Sequence, residues 1–126
     1  MAKSIPEVPN AASPIGPYSV AAEANGFVFI SGQVGINPVT SVPAGDNVVD
    51  QARRTMENIK LVLGDLGLSF DDVVKTTIFL TDMADFPLVN DVYGSYFEGA
   101  PPARSTIQAG ALPGGYLVEI EVIAAR

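Results

Sequence analysis

The run Asp71-Asp72-Val73-Val74-Lys75-Thr76-Thr77-Ile78-Phe79-Leu80-Thr81 decides the fold class. It is dense in β-branched, aromatic and aliphatic residues and reads as a strand. Helical patterns flank it on both sides. Upstream, Val49, Ala52, Met56, Ile59, Leu63 and Leu66 recur at intervals of three and four, an apolar stripe about five turns long. Asp46 is placed to cap that helix and Gly67 to end it. Downstream, Asp82 to Asp85 closes the strand and caps a second helix. That helix tolerates Pro87 in its first turn and carries the stripe Phe86, Val89, Tyr93, Tyr96 and Phe97.

Moving outward, strand pairs stand at both ends. Tyr18 to Glu23 and Phe27 to Gly32 read as strands joined by Ala24-Asn25-Gly26, because Asn-Gly accepts the positive φ of hairpin turns. Phe27, Phe29 and Ser31 share one face, Val28 and Ile30 the other. Residues 34–45, punctuated by Pro38, Pro43 and Gly45, form a loop. After the break at Gly99 to Pro102, Ala103 to Ala109 and Tyr116 to Ala124 read as two more strands. The order β-β-α-β-α-β-β argues for an α+β fold, with two helices packed on one face of a mixed sheet.

At 126 residues the chain is expected to form one domain, residues 1–126. An apolar content of 48% is high enough that part of it is open to subunit contacts. There is no cysteine and no histidine. That excludes disulfides, thiol catalysis and Ser-His or Cys-His nucleophiles, and leaves no imidazole or thiolate for the common metal sites. No cofactor is expected. Fourteen acidic against seven basic residues give a net charge of −7, which repels nucleic acid and anionic membranes at long range. No apolar run approaches the roughly 20 residues of a membrane span, and Met-Ala-Lys-Ser-Ile-Pro is no secretory leader. A cytoplasmic protein is the default.

Arg104 stands out chemically. It follows Pro101-Pro102 and opens a strand, away from Arg53, Arg54 and Arg126. Arginine is the natural bidentate receptor for a carboxylate or phosphate. Arg104, Thr106 and Gln108 share one face of their strand; Leu117, Glu119, Glu121 and Ile123 share one face of theirs. A hairpin across Leu112-Pro113 would set position 106 near 119, with Arg104 one step along and beside Glu119. Arg104 then reads either as a fixed ion pair with Glu119 or Glu121, or as an anion clamp beside a glutamate that handles a proton or a water. The face bearing both would be only partly covered by this chain, which suggests a neighbouring subunit. Tyr18, held on the stiff Pro14-Ile15-Gly16-Pro17, reads as a site wall or a packed ring. Ser31-Gly32 reads as a strand end or a close approach. Asn90 reads as a structural amide or a cleft lining. Without an activated nucleophile or a metal the reaction must be mild, such as hydration of an electrophilic C=N or C=C bond.

Six segments in order resemble the RidA/YjgF family: Pro14-Ile15-Gly16-Pro17-Tyr18-Ser19, Ile30-Ser31-Gly32-Gln33, Val74 to Leu80, Phe86 through Asn90 to Tyr93 with Tyr96-Phe97, Pro102-Ala103-Arg104-Ser105, and Glu119 to Ala124. The resemblance implies a chorismate-mutase-like α+β fold and a homotrimer with clefts between subunits. It also implies hydrolysis of reactive enamines and imines such as 2-aminoacrylate, 2-iminopropanoate and 2-iminobutanoate to 2-oxo acid and ammonia. It assigns Arg104 to the substrate carboxylate, Glu119 to water and proton handling, and Tyr18, Ser31, Gly32, Asn90 and Thr106 to substrate contacts. Many members carry cysteine where this chain has Thr106. The rival readings are a non-enzymatic, chaperone-like or carboxylate-binding module that uses the same cleft, and a ribonuclease or translation inhibitor. The acidic charge and missing histidine oppose the last.

Overall fold

The computed structural model describes residues 2–126. In chain order the elements are β1 (Ala21–Ala24), β2 (Phe27–Val34), α1 (Val48–Asp65), β3 (Val73–Leu80), α2 (Phe86–Gly94), β4 (Ala103–Gln108) and β5 (Val118–Ala125). They build one five-stranded sheet in the order β1-β2-β5-β3-β4. Only β3 and β4 pair in parallel; the other neighbours are antiparallel. The α+β class expected from the element order is the one observed.

The β1–β2 hairpin turns at Asn25 (φ 54°) and Gly26 (φ 81°), the positive-φ pair that this turn demands. β1 begins at Ala21, later than the expected Tyr18. Tyr18 to Val20 lie outside the ladder, where the Ser31 hydroxyl donates to the Ser19 carbonyl at 2.7 Å and the Ser31 amide to Val20 at 2.8 Å.

The α1 stripe is buried as its period predicts: Ala52, Met56, Ile59 and Leu63 are all about 1% exposed. Its N-cap is Asn47 rather than Asp46. The Asn47 side chain accepts from the Asp50 amide at 2.9 Å, and its backbone is extended as a cap requires. The far end closes on Gly67 (φ 73°), with Leu68 donating to the Leu63 carbonyl at 2.8 Å and Gly67 to Gly64 at 3.1 Å, a Schellman motif. α2 stops at Gly94, so Tyr96 and Phe97 lie in the turn beyond it. There they pack on Phe70 at ring separations of 5.4 and 5.3 Å.

The expected hairpin of the last two strands does not form. β3 lies between them: Thr76 pairs with Arg104 on one side and Val122 on the other, and Phe79 pairs with Ile107 and Glu119. The chain leaves β3 through α2 and returns alongside as a parallel β4, the ordinary βαβ crossover. β5 takes the centre because Val118, Ile120, Val122 and Ala124 form the most completely buried row in the sheet. Both helices cover that row, with Val28, Ile30, Ile78 and Leu80 beside it. The opposite face leaves Phe27, Phe29 and Ile107 between 44% and 48% exposed.

Candidate functional site

Strand parity now fixes where the candidate side chains point. Arg104 and Thr106 stand opposite Thr76 and Ile78, on the helix-covered face at the β4 edge. Glu119 and Glu121 stand opposite Phe79 and Thr77, on the uncovered face. The residues proposed as one site therefore form two groups. Arg104 and Glu119 do not meet within one chain, and no ion pair links them: among the described residues the salt bridge is Arg126 to Glu23, at 2.9 Å.

The first group is built where α2 crosses the β4 edge. Asn90, Tyr93, Pro101, Pro102 and Arg104 line an open cleft of about 390 Å³. The Arg104 guanidinium carbon lies 5.1 Å from the Tyr93 ring centre and 5.5 Å from that of Phe86, within cation–π range of both. The Thr106 hydroxyl is buried on the same face of β4 and has no hydrogen-bond partner in the chain. An unpaired buried hydroxyl costs free energy until something completes it.

The second group is built on a β-bulge. Ile30 pairs with Val122 and Gln33 with Ile120, so Ser31 and Gly32 together face the single residue Glu121. The Gln33 amide holds the bulge by donating to the Ser31 carbonyl at 3.1 Å. Glu119 fills the room that Gly32 leaves. A Cβ on Gly32 would lie 2.6 Å from Glu119 Oε2 and 2.7 Å from its Cδ. Tyr18, Ser31, Gly32, Glu119 and Glu121 line a cavity of about 450 Å³, with Ile15, Val34, Ile36 and Tyr116 among its apolar walls. Burial raises the Glu119 carboxyl pKa, and the Glu121 charge adds to the rise. Among the described residues of the chain, no basic side chain lines this cavity to oppose it.

α1 supports the loop behind the cavity. Asn58 donates to the Val34 and Ile36 carbonyls at 2.9 and 2.7 Å. Gln51 donates to the Gly45 carbonyl at 3.0 Å and accepts from the Leu117 amide at 2.8 Å. Gly35 is required there, since a Cβ would meet the Gln51 backbone at 2.7 Å.

Sequence reasoning misses Phe86 and Tyr93 as partners of Arg104. Both rings read as part of the α2 core stripe; their spacing of seven, facing an arginine strand, is the available signal. Glu121, which the sequence offers as an ion-pair partner for Arg104, instead lines the cavity beside Glu119. No group of three or more carboxylates among the described residues is arranged to hold a metal ion. No helix there is long and apolar enough to cross a membrane.

Residues 8–126 match the family model described as Endoribonuclease L-PSP. A protein of Myxococcus xanthus named Protein DfrA is 54% identical over 112 residues, 87% of this chain and 86% of that protein. The mouse protein named 2-iminobutanoate/2-iminopropanoate deaminase is 45% identical over 112 residues, 89% of this chain and 83% of its own. Among solved structures, a Yersinia pestis protein described as YyfA of the conserved Rid family superposes with a TM-score of 0.95 at 48% identity, covering 99% of this chain and 100% of that one.

Proposed function

Because the chain belongs to the endoribonuclease L-PSP family, the RidA/YjgF group that includes a mouse imine deaminase, we propose that it hydrolyses reactive 2-imino acids to 2-oxo acids and ammonia. The observation that carries this reading is Glu119: a carboxylate set in the room that Gly32 leaves, facing a cavity of about 450 Å³.

We further propose that the complete cleft forms between copies. The Arg104 group of one subunit would meet the Glu119 group of the next. Contacts between two different surfaces of one chain close into rings, which fits the expected homotrimer. The exposed Phe27, Phe29 and Ile107 give such an assembly apolar surface to bury.

The chemistry follows from the two ends. Arg104 binds the substrate carboxylate through paired N–H donors and so fixes the imine carbon. Glu119 takes a proton from a water as the water oxygen bonds to the carbon of the protonated imine, and the C=N π pair becomes the lone pair of a neutral amine. The glutamic acid returns that proton to the amine nitrogen; the C–N bond then breaks with its pair leaving on ammonia, the carbonyl forms, and the hydroxyl proton passes to the Glu119 carboxylate and on to ammonia or solvent. A carboxyl raised toward neutrality serves better in both directions than an ordinary one. Orientation of this kind supplies several kcal/mol of a barrier. Asn90, Thr106, Tyr18, Ser31 and Gly32 shape the cleft walls. The net charge of −7 weighs against RNA as substrate.

The test generates 2-aminoacrylate with a serine or cysteine lyase and follows pyruvate. Acceleration at micromolar protein, lost in Arg104→Ala, is expected. No acceleration over free hydrolysis, or full activity in Arg104→Ala, sinks the proposal. Calorimetric binding of 2-oxobutyrate without turnover would assign the cleft to carboxylate binding instead.

A further inference from the structure

A cation that must receive an anion cannot be held in place by another anion, which would compete for the same N–H donors. Arg104 is held differently. The ring faces of Tyr93 and Phe86 lie 5.1 and 5.5 Å from its guanidinium carbon, and neither takes an N–H donor nor cancels the charge. Tyr93 is itself immobilised at both ends. Its ring packs on Phe97 at 4.8 Å, and its hydroxyl shares a 2.7 Å hydrogen bond with the Thr76 hydroxyl. Thr76 is the β3 residue directly paired with Arg104. Backbone and side chain of Arg104 are thus tied to one support: the ladder fixes its Cα beside Thr76, and Thr76 fixes the ring that carries its guanidinium.

We propose that Tyr93, anchored by Thr76 and completed by Phe86, is the positioning residue of the Arg104 clamp, holding the guanidinium preorganised and unneutralised for a ligand carboxylate. The proposal rests on the imino-acid reading for its ligand class but on the geometry above for the cradle. Burial raises the Tyr93 phenol pKa against the opposing pull of Thr76 and Arg104, so the phenol stays neutral beside the cation.

Two variants and two readouts test it. Phe86→Leu removes a half-buried ring; Tyr93→Phe keeps the ring and removes its anchor. In the turnover assay each is expected to raise KM about three- to tenfold with kcat changed less, and to weaken 2-oxobutyrate binding by the same factor. A purely structural role would lower Tm and leave KM and the binding constant of the folded protein unchanged; that result overturns the proposal. The second readout needs no ligand. In nitrogen-15 spectra of the wild type the Arg104 Nε–H resonance should be ring-shifted and ordered, and in Phe86→Leu it should move toward the free-arginine position. A wild-type resonance already at that position, with free-side-chain mobility, also overturns it. If the wild type neither turns over imine nor binds 2-oxobutyrate, the imino-acid reading fails, and the Nε–H shift alone decides whether the cradle exists.

Discussion

Arg104 and Glu119 occupy opposite faces of one sheet: Arg104 is paired with Thr76, Glu119 with Phe79, and those two positions differ in parity along β3. One chain therefore carries both halves of the proposed chemistry without joining them. Subunits mutated in one half should complement subunits mutated in the other. Arg104→Ala and Glu119→Ala homo-oligomers are each expected to lose activity at least about a hundredfold, since hydrogen bonds to charged groups are worth about 1.5–3 kcal/mol each. Denatured together in equal amounts and refolded, they should recover about a quarter of the wild-type sites if each cleft takes one half from each neighbour. Recovery no greater than the sum of the separate variants would place both halves of a working site in one chain, or neither.

Gly32 serves Glu119 by having no side chain. In Gly32→Ala the new methyl would stand 2.6 Å from Glu119 Oε2, so the carboxylate must move while the backbone need not. Activity should fall about a hundredfold, the scale of a displacement near 1 Å in a reacting group. The melting temperature should change by only a few degrees. A variant that keeps wild-type kcat/KM would show that the carboxylate position is not critical.

Glu119 also makes stability depend on pH. Its folded-state pKa is raised by burial and then by Glu121, so the folded chain holds this proton more tightly than the unfolded one. Its favourable contribution is complete below the unfolded pKa and is lost as pH rises through the folded pKa. Glu119→Gln has no such loss. In dissociated subunits, where no neighbouring Arg104 opposes the rise, it should melt higher than the wild type near neutral pH and above, with the gap closing as pH falls toward about 4. Melting curves across that range decide it; a gap that widens in acid would mean that folding lowers the Glu119 pKa.

The loop behind the cavity hangs on Asn58, which supplies both of its amide protons to the carbonyls of Val34 and Ile36. Asn58→Ala strands two acceptors and should cost about 1–3 kcal/mol in urea unfolding. Val34 and Ile36 are cavity walls, so catalysis should drop along with stability. Normal stability would mean that water replaces the amide at no cost.

Much of this could be read from residue order. The α1 stripe, the Asn25-Gly26 turn and the alternation within each strand depend on nearest neighbours in the chain, and all stand as read. The β4–β5 pairing depended on which strand found which, and proximity in sequence misled. The short turn through Leu112-Pro113 looked like a hairpin. Yet the fully apolar row of β5 is buried most deeply between β2 and β3, and that long-range gain outweighs local closure. The error moved Arg104 and Glu119 onto one face. The resemblance to a known family points to both residues independently of that pairing, because it rests on residue order alone. Phe86 and Tyr93 went unread as partners of Arg104, since an amphipathic stripe looks the same whether it meets a core or a cation.

The bulge at Ser31-Gly32 sets two residues of β2 against one of β5. Loss of a single in-frame codon at Gly32 would restore an unbroken ladder, with Ile30, Ser31 and Gln33 in plain alternation and every later side chain on its present face. Such a chain would be one residue shorter, almost unchanged in composition, and a better sheet. It would also have closed the space in which the Glu119 carboxylate sits. At this point in the chain regularity and chemistry are opposed, and a design procedure rewarding only well-formed strands would delete the residue on which the pocket depends.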